Sequence, residues 1–284
     1  MADVSGSEES AAVSPTAHYT GETWVRNDLS HPRLATWQGR VLHGALALPN
    51  AASKTVGGPT LEGMLLARHR IIDSILEELI AGGVSQVVEV ACGMSPRGWR
   101  FSERDGDRLT YVEADLPAMA GRKREALAQM GSLSERHRVA DLDVLRDGGP
   151  GSLEALVEEL DPAGGLVIIT EGLLSYFDDE TVDALWVRLA RALARFDQGA
   201  YLSDLRFARR DRGLPERVFD VVLGAFVRGK VHAYRGDEAT AEASLLDAGF
   251  KQARLHRGDR HPAAAEARDD PAAGVICIVE ATAA

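Results

Sequence analysis

The feature that most constrains the fold is an alternation, along the centre of the chain, of short β-branched runs with segments that carry apolar residues at helical spacing. The strand-like runs are residues 86–91, 109–114, 137–142, 165–170 and 200–205. Leu65, Ile72 and Leu79 belong to the helical pattern before the first run, and Asp178 is a candidate N-cap of a later helix. Strands that alternate with helices favour parallel βαβ units, so the sequence predicts a doubly wound α/β sheet.

The last third departs from this alternation. Residues 237–248 read as a helix closed by Gly249, and two strand-like runs follow at 251–256 and 275–281. A polar, Pro- and Ala-rich stretch at 257–273 separates these two runs. We expect them to form an antiparallel hairpin at the sheet edge, an ending typical of methyltransferase-type rather than dehydrogenase-type sheets.

Composition sets the expected domain plan. Residues 1–16 are rich in Ser, Ala and Glu and contain no Lys or Arg, which predicts a disordered tail. Residues 17–284 are expected to form a single domain. Within it, residues 17–62 mix aromatic and basic side chains with Pro and Gly and predict a helical cap. The arginine-rich stretch at 206–235 predicts a lid insertion.

Charge and cysteine content exclude several classes of function. The 32 Lys and Arg against 43 Asp and Glu give a net charge of −11, which should repel nucleic acid. No apolar run reaches the ~18 residues of a membrane helix. The two distant cysteines, Cys92 and Cys277, make no disulfide framework, and no Cys and His cluster has zinc spacing. With no secretory signal, these features predict a reduced, metal-free, cytoplasmic protein.

Ligands of open α/β sheets bind at the carboxyl ends of the strands. After the first predicted strand, Gly93 and Gly98 permit tight turns, but Ala91 stands where a GxGxxG motif would have its first glycine. A dinucleotide site is therefore disfavoured. After the second predicted strand, Asp115 is placed to accept both hydrogen bonds of a ribose diol, or else to cap the helix that Pro117 opens.

The next two strand ends also carry acids. Asp141 follows the third strand and could accept from an adenine amino group while Leu142 covers the ring; alternatively Asp141 is a solvent-facing turn residue. Glu171 and Gly172 follow the fourth strand, over the sheet centre. Glu89, inside the first strand, must be paired if buried and is a candidate partner of a cofactor amino group. Together these residues predict an adenosine-containing cofactor.

Four motifs in order, EVACGMSPRGWRF, YVEADLP, ADLDVL and TEGLLSYFDDETV, resemble the leucine carboxyl methyltransferase family. Within it the sequence is most similar to bacterial polyketide O-methyltransferases of the tetracenomycin type. The resemblance covers roughly residues 17–195. It implies a class I methyltransferase fold, Rossmann-like, that binds S-adenosyl-L-methionine and forms a methyl ester.

The resemblance also implies roles for single residues. Arg68 matches the arginine that holds the methionine carboxylate of the cofactor, and Gly93 the glycine turn beside the methionine moiety. Ala91 replaces the first glycine of the family's GxG, where a methyl group would crowd the cofactor. The full set expected at the cofactor is Arg68, Glu89, Ala91, Gly93, Asp115, Leu116, Asp141, Leu142 and Glu171.

The expected acceptor is a carboxylate of a small, polyketide-like acid. A carboxylate is already an anion at neutral pH, so methyl transfer needs alignment and no catalytic base. Cations that orient the acid, and aromatic walls, are expected instead: Tyr19, Trp24, Arg26, Arg97, Tyr176 and Arg206, with Arg100 as a further candidate. For each arginine the commoner explanation is a surface ion pair or a solvated side chain. A phenol acceptor would require a base, for which His18, His31 or Tyr176 would be the candidates.

Two other functions stay open at this stage. One is methylation of a protein C-terminal carboxylate, and the other is a protein of secondary metabolism that binds the cofactor without methyl transfer. The sequence also leaves open whether the chain is a monomer or a homodimer.

Overall fold

The computed structural model describes residues 15–55, 58–208, 232–267 and 270–283. Nearly all of the predicted tail and most of the predicted lid, residues 209–231, lie outside these ranges. The described residues contain a seven-stranded sheet with the strand order β3-β2-β1-β4-β5-β7-β6. Its strands are β1 (Gln86–Val90), β2 (Thr110–Asp115), β3 (His137–Asp141), β4 (Leu166–Thr170), β5 (Gly199–Leu205), β6 (Gln252–Arg257) and β7 (Cys277–Thr282).

The sheet confirms the predicted topology. Strands β1 to β5 pair in parallel, whereas β7 runs antiparallel to both β5 and β6. Strand β4 is buried along its whole length, because helices cover both faces of the sheet. This double cover explains why the central strands read as continuous apolar runs rather than as alternating ones.

Helices connect and cover the strands. They are α1 (Pro15–Arg26), α2 (Trp37–Thr55), α3 (Leu61–Ala81), α4 (Arg97–Asp105), α5 (Pro117–Met130), α6 (Leu153–Val157), α7 (Asp179–Leu193) and α8 (Glu238–Asp247). Asp178 is the N-cap of α7, where its side chain accepts a hydrogen bond from the Thr181 amide, as predicted. The α1 helix begins at Pro15, so the last two residues of the predicted tail are helical.

The N-terminal helices lie over one end of the sheet. Tyr19 and Trp24 of α1 pack with Leu61 and Leu65 of α3 in a buried apolar cluster. Helix α2 packs along α1 on the outside. This arrangement places α1 above the carboxyl ends of the parallel strands, where it forms the roof of a cavity. Among the described residues, no helix has the length and apolar character needed to span a membrane.

Candidate active site

A cavity of about 260 Å³ lies between α1 and the carboxyl ends of β1, β2 and β4. Seven of the nine residues predicted to bind the cofactor line it: Arg68, Glu89, Ala91, Gly93, Asp115, Leu116 and Glu171. Its remaining wall is mostly apolar or small, and includes Trp24, Met94, Met119 and Leu173. The strand ends thus bring together residues that are far apart in the sequence, as the parallel topology requires.

The loop after β1 turns back through two left-handed residues, Ala91 with φ 54° and Gly93 with φ 51°. The Gly93 amide donates a hydrogen bond of 2.8 Å to Oδ2 of Asp115, and the Leu116 amide donates one of 2.8 Å to Oδ1. Asp115 therefore fixes this loop against the end of β2. Burial raises the pKa of Asp115, and the hydrogen bonds from the two backbone amides offset only part of that rise.

Arg68 reaches the cavity from α3 and lies between two carboxylates. Its Nε donates to Oε1 of Glu171 at 2.9 Å, and its Nη1 donates to Oδ2 of Asp204 at 3.3 Å. Gly172, with φ 76°, leaves room for the guanidinium, because a Cβ there would lie 3.0 Å from Nη2. Burial alone would lower the pKa of Arg68, but Asp204 and Glu171 outweigh it and raise this pKa. A permanently cationic Arg68 at the cavity wall fits a carboxylate ligand.

Arg97 does not reach the cavity, which corrects its expected role as a cation that binds substrate. Its guanidinium is fully buried and contacts three carboxylates: Nε lies 2.6 Å from Asp73, Nη1 lies 2.6 Å from Glu89, and Nη2 lies 2.5 Å from Glu171. We call these four residues the Arg97 cluster. A buried carboxylate requires a cation, so Arg97 acts on the cavity only by fixing Glu89 and Glu171.

Two acids of the Arg97 cluster, Asp73 and Glu171, have pKa values lowered by the cations around them. Burial by itself would raise the pKa of Glu171, but attraction by Arg97, His69 and Arg68 outweighs burial and holds this pKa well below its usual range. His69 lies in direct contact with the cluster, with Nδ1 3.0 Å from Glu171, and its ring stacks on Trp24 at 4.2 Å between centroids. Glu89 is held at its second oxygen by the Tyr111 hydroxyl, 2.8 Å away. The cavity floor is therefore a fixed pattern of charge.

The two predicted cofactor residues after β3 lie outside the cavity lining. Asp141 is exposed and its Oδ1 accepts from Arg124 at 2.9 Å, while Leu142 is buried in the main core. Strand register sets Asp141 beside Asp115 in the sheet. Their contact with the adenine of a cofactor stays a prediction.

Only some of the residues predicted to bind the acceptor line the cavity. Trp24 and Tyr176 line the cavity. Tyr19 is buried in the helical cap, where its hydroxyl accepts from Asn50, so it forms no wall of the cavity. Arg26 pairs with Glu22 one turn away on α1, which matches the alternative explanation of a surface ion pair.

Arg206 and Arg100 also lie elsewhere. Arg206 lines a separate small pocket with Leu174, His232 and Tyr234, and Arg100 donates to Oδ2 of Asp73 at 2.7 Å. The geometry corrects the expectation for Tyr19, Arg26 and Arg206 as residues of this cavity.

Three polar residues of the site were missed by sequence reasoning: His69, Asp73 and Asp204. His69 and Asp73 follow each other at i and i+4 on α3, and both are buried. A polar pair at helical spacing on an otherwise apolar face was a signal that could have found them. Asp204, near the end of β5, binds Arg68 and also accepts from the Gly172 amide. A lone acid in a buried strand was the available signal there.

Comparison with known proteins agrees with this architecture. A family model described as leucine carboxyl methyltransferase matches residues 24–190, more than half of the chain. The chain belongs to the leucine carboxyl methyltransferase family. This confirms the family resemblance that the four sequence motifs predicted.

Two relatives with similar sequences carry names of S-adenosyl-L-methionine-dependent methyltransferases. One, from Streptomyces avermitilis, is 32% identical over 158 residues, which are 56% of this chain and 52% of the relative. The other, from Frankia alni, is 31% identical over 182 residues, 64% of this chain and 54% of the relative. The chain thus spans about half the length of these curated relatives.

Solved structures support the fold of this leucine carboxyl methyltransferase family member. A methyltransferase crystal structure from Thermobifida fusca aligns with a TM-score of 0.62 at 16% identity, covering 98% of each chain. The apo form of the S-adenosylmethionine-dependent methyltransferase SibL aligns with a TM-score of 0.54 at 17% identity, covering 94% of this chain and 69% of SibL. At such identities the likeness establishes the methyltransferase fold.

Proposed function

We propose that this protein is an S-adenosylmethionine-dependent O-methyltransferase that esterifies a carboxylate of a small, polyketide-like acid. The observation that carries the proposal is the lining of the cavity: among its described residues there is no histidine or lysine. Its carboxylates are engaged, Glu89 and Glu171 by Arg97 and Asp115 by two backbone amides. Because the lining offers Tyr176 but no histidine or lysine, it favours an acceptor that already carries an anionic oxygen.

The residues present fit the proposed cofactor. Arg68 is placed to hold a ligand carboxylate, Asp115 offers carboxylate oxygens to a ribose diol, and Gly93 leaves space beside Ala17 that a side chain would fill. Leu116 and Met119 add apolar surface suited to an aromatic base. When bound, S-adenosylmethionine supplies an activated methyl group on a sulfonium.

The protein would then contribute orientation and exclusion of water. The Arg97 cluster fixes the carboxylates of the cavity floor, and α1 covers the strand ends with Thr20 and Trp24. Tyr176 and Trp24 are the aromatic surfaces next to which we place the acceptor. A pocket that orients its ligands and excludes water favours a reaction that depends mainly on alignment of oxygen, methyl carbon and sulfur.

The alternative of a phenol acceptor receives less support. His18 lies outside the cavity lining with its Nδ1 2.9 Å from the Thr36 hydroxyl, and burial lowers its pKa. His31 accepts from the Arg33 amide in the connection after α1. The Cys92 thiol does line the cavity, but burial raises its pKa well above the ordinary value, so it is protonated at neutral pH.

The test is transfer of a labelled methyl group from S-adenosylmethionine to a panel of aromatic polyketide acids, their phenolic analogues lacking the carboxyl group, and a peptide with a free C-terminus. We expect label in the acids only, in a form that mild base releases as volatile methanol. Base-stable label in the phenols would instead indicate an ether product, and label in the peptide would indicate protein carboxyl methylation. Binding of the cofactor without transfer to any acceptor would contradict the enzymatic assignment.

A further inference from the structure

A second cluster of buried charges lies beside the loop after β1. It consists of Glu113 on β2, Lys123 on α5 and His137 on β3, whose side chains are 0%, 0% and 2% exposed. Lys123 Nζ pairs with Oε2 of Glu113, and His137 Nε2 lies 2.8 Å from Oε1. We call these three residues the Lys123 cluster. None of them lines the cavity, so the proposed chemistry does not use them directly.

The contacts of the Lys123 cluster show which groups donate and which carry charge. Nδ1 of His137 lies 2.9 Å from the Ser132 carbonyl oxygen, which can only accept, so this nitrogen is a donor. Burial opposes ionisation of Glu113 and of Lys123, but their mutual attraction outweighs it, which lowers the pKa of Glu113 and raises that of Lys123. The carboxylate is thus held by the Lys123 ammonium on one side and lies against a ring nitrogen of His137 on the other.

Lys123 makes one further contact that leads to the cavity. Its Nζ donates a hydrogen bond to the carbonyl oxygen of Ser95, and Ser95 lines the cavity. Side chains therefore tie the loop after β1 at two points, at Gly93 by Asp115 and at Ser95 by Lys123. A charged donor on a backbone carbonyl is one of the stronger hydrogen bonds available inside a protein.

The sequence around Gly98 fits this arrangement. A Cβ at Gly98 would lie 2.4 Å from Oε1 of Glu113, so only glycine lets the carboxylate approach the start of α4. The adjacent residue, Arg97, enters the Arg97 cluster. The Arg97-Gly98 pair thus joins the same loop to both buried clusters.

We propose that Lys123 is a positioning residue for the cofactor: with Glu113 behind it, it holds the Ser95 carbonyl and so fixes the loop from Ala91 to Ser95 in the conformation that binds S-adenosylmethionine. This inference rests on the proposed function. Lys123 touches no ligand in this scheme, and acts only through the backbone that it holds.

Two variants separate this role from a general contribution to stability. Glu113→Gln keeps the shape of the side chain beside Gly98 and leaves the Lys123 amine able to donate to Ser95. Glu113→Gln/Lys123→Met also removes the amine, without leaving a buried carboxylate unpaired. Calorimetric titration with S-adenosylmethionine is carried out on both and on the wild type, with thermal unfolding as the parallel measurement.

We expect the single variant to bind within about 3-fold of the wild type and the double variant to bind about 10- to 100-fold more weakly, the range expected for a lost hydrogen bond to a charged group. The single variant leaves the buried Lys123 ammonium without its carboxylate, so it should unfold at a lower temperature than the double variant, and weaker binding by the double variant then cannot come from lower stability. Equal affinities of the two variants would overturn the proposal, and so would equal losses in both.

Hydrogen exchange on the wild type tests one premise of the proposal, that the loop is fixed. Protection of the Gly93 and Ser95 amides at the level of β1 supports a fixed loop, whereas exchange as fast as in exposed loops overturns it. Failure of the proposed function gives a different result from failure of this inference. If the wild type does not bind S-adenosylmethionine, the cofactor assignment is wrong, while the exchange result still reports whether the loop is held.

Discussion

The Arg97 cluster and the Lys123 cluster flank the same loop but differ in what they face. Two acids of the Arg97 cluster, Glu89 and Glu171, line the cavity, so their charges are part of the surface that a ligand meets. The Lys123 cluster is closed off and reaches the cavity only through the Ser95 carbonyl. Buried charge therefore serves two purposes in this protein: the Arg97 cluster presents carboxylates to a ligand, and the Lys123 cluster holds the backbone of the loop after β1.

The largest effect is expected from breaking the Arg97 cluster. Arg97→Met leaves Asp73, Glu89 and Glu171 without their shared, fully buried cation. Removing one partner of a buried ion pair typically costs about 3–5 kcal/mol. We expect at least that loss in the free energy of unfolding, measured by urea denaturation.

Arg104→Met is the matched control, because Arg104 lies on the same helix but is 44% exposed and pairs at the surface with Glu77. It should change stability by no more than about 0.5 kcal/mol. An Arg97→Met protein as stable as this control, but unable to methylate, would restore the substrate-binding role that the geometry has corrected.

The next largest effect is expected on the affinity for S-adenosylmethionine, at Asp115 and Asp141, the acids at the ends of the adjacent strands β2 and β3. Asp115→Ala should weaken S-adenosylmethionine binding about 100-fold, because it removes both the proposed ribose ligand and the acceptor for the Gly93 amide. Asp141→Ala should weaken binding by less than about 3-fold, since Asp141 points to Arg124 and lies outside the cavity lining. Calorimetry on both variants measures the contrast, and a reversal of their order would place the adenosine at β3 instead.

The strands and the acids at their ends could be predicted from the sequence, whereas the environment of each arginine could not. The seven strands were all predicted, and the acids at the ends of β2 and β4 were found because parallel strands bring their carboxyl ends to one edge. Residue type could not decide which arginines face a ligand. Arg97 and Arg68 look alike in sequence and both are buried, and only the packing of α3 and α4 brings Arg68 to the cavity wall and keeps Arg97 out of the lining.

Because of both clusters, we expect the free energy of unfolding to fall in acid. The pKa values of Glu171, Asp73 and Glu113 are all lowered in the folded protein, because their cations outweigh the effect of burial. A lowered folded-state pKa stabilises the protein above the unfolded value, about 4.3 for Glu, and this stability is lost as the pH falls below it. Each such group contributes at most about 1.4 kcal/mol per pH unit.

Urea unfolding between pH 7 and pH 3.5 tests this linkage. Glu113→Gln removes one of the three groups, so its stability should fall less steeply with acid than that of the wild type. If the two slopes coincide, Glu113 has the same pKa in the folded and unfolded chains, and the Lys123 cluster does not carry the charges assigned to it.

The smallest expected effect lies in the loop between the clusters. Ala91 and Gly93 both have left-handed backbone, which is costly for a residue with a Cβ and free of cost for glycine. Ala91→Gly should therefore stabilise the protein by about 1 kcal/mol, and Gly93→Ala should destabilise it by a similar amount or more, since the new Cβ would also lie 3.3 Å from Ala17.

The pair of variants also tests what the Ala91 methyl does to the cavity. If the methyl crowds the cofactor, Ala91→Gly should tighten S-adenosylmethionine binding as well as raise stability. If stability rises while the affinity is unchanged, the methyl costs only backbone strain, and the loop is held in its binding conformation by Asp115 and Lys123 whatever residue stands at position 91. A destabilised Ala91→Gly would mean that the alanine makes packing contacts worth more than the strain it causes.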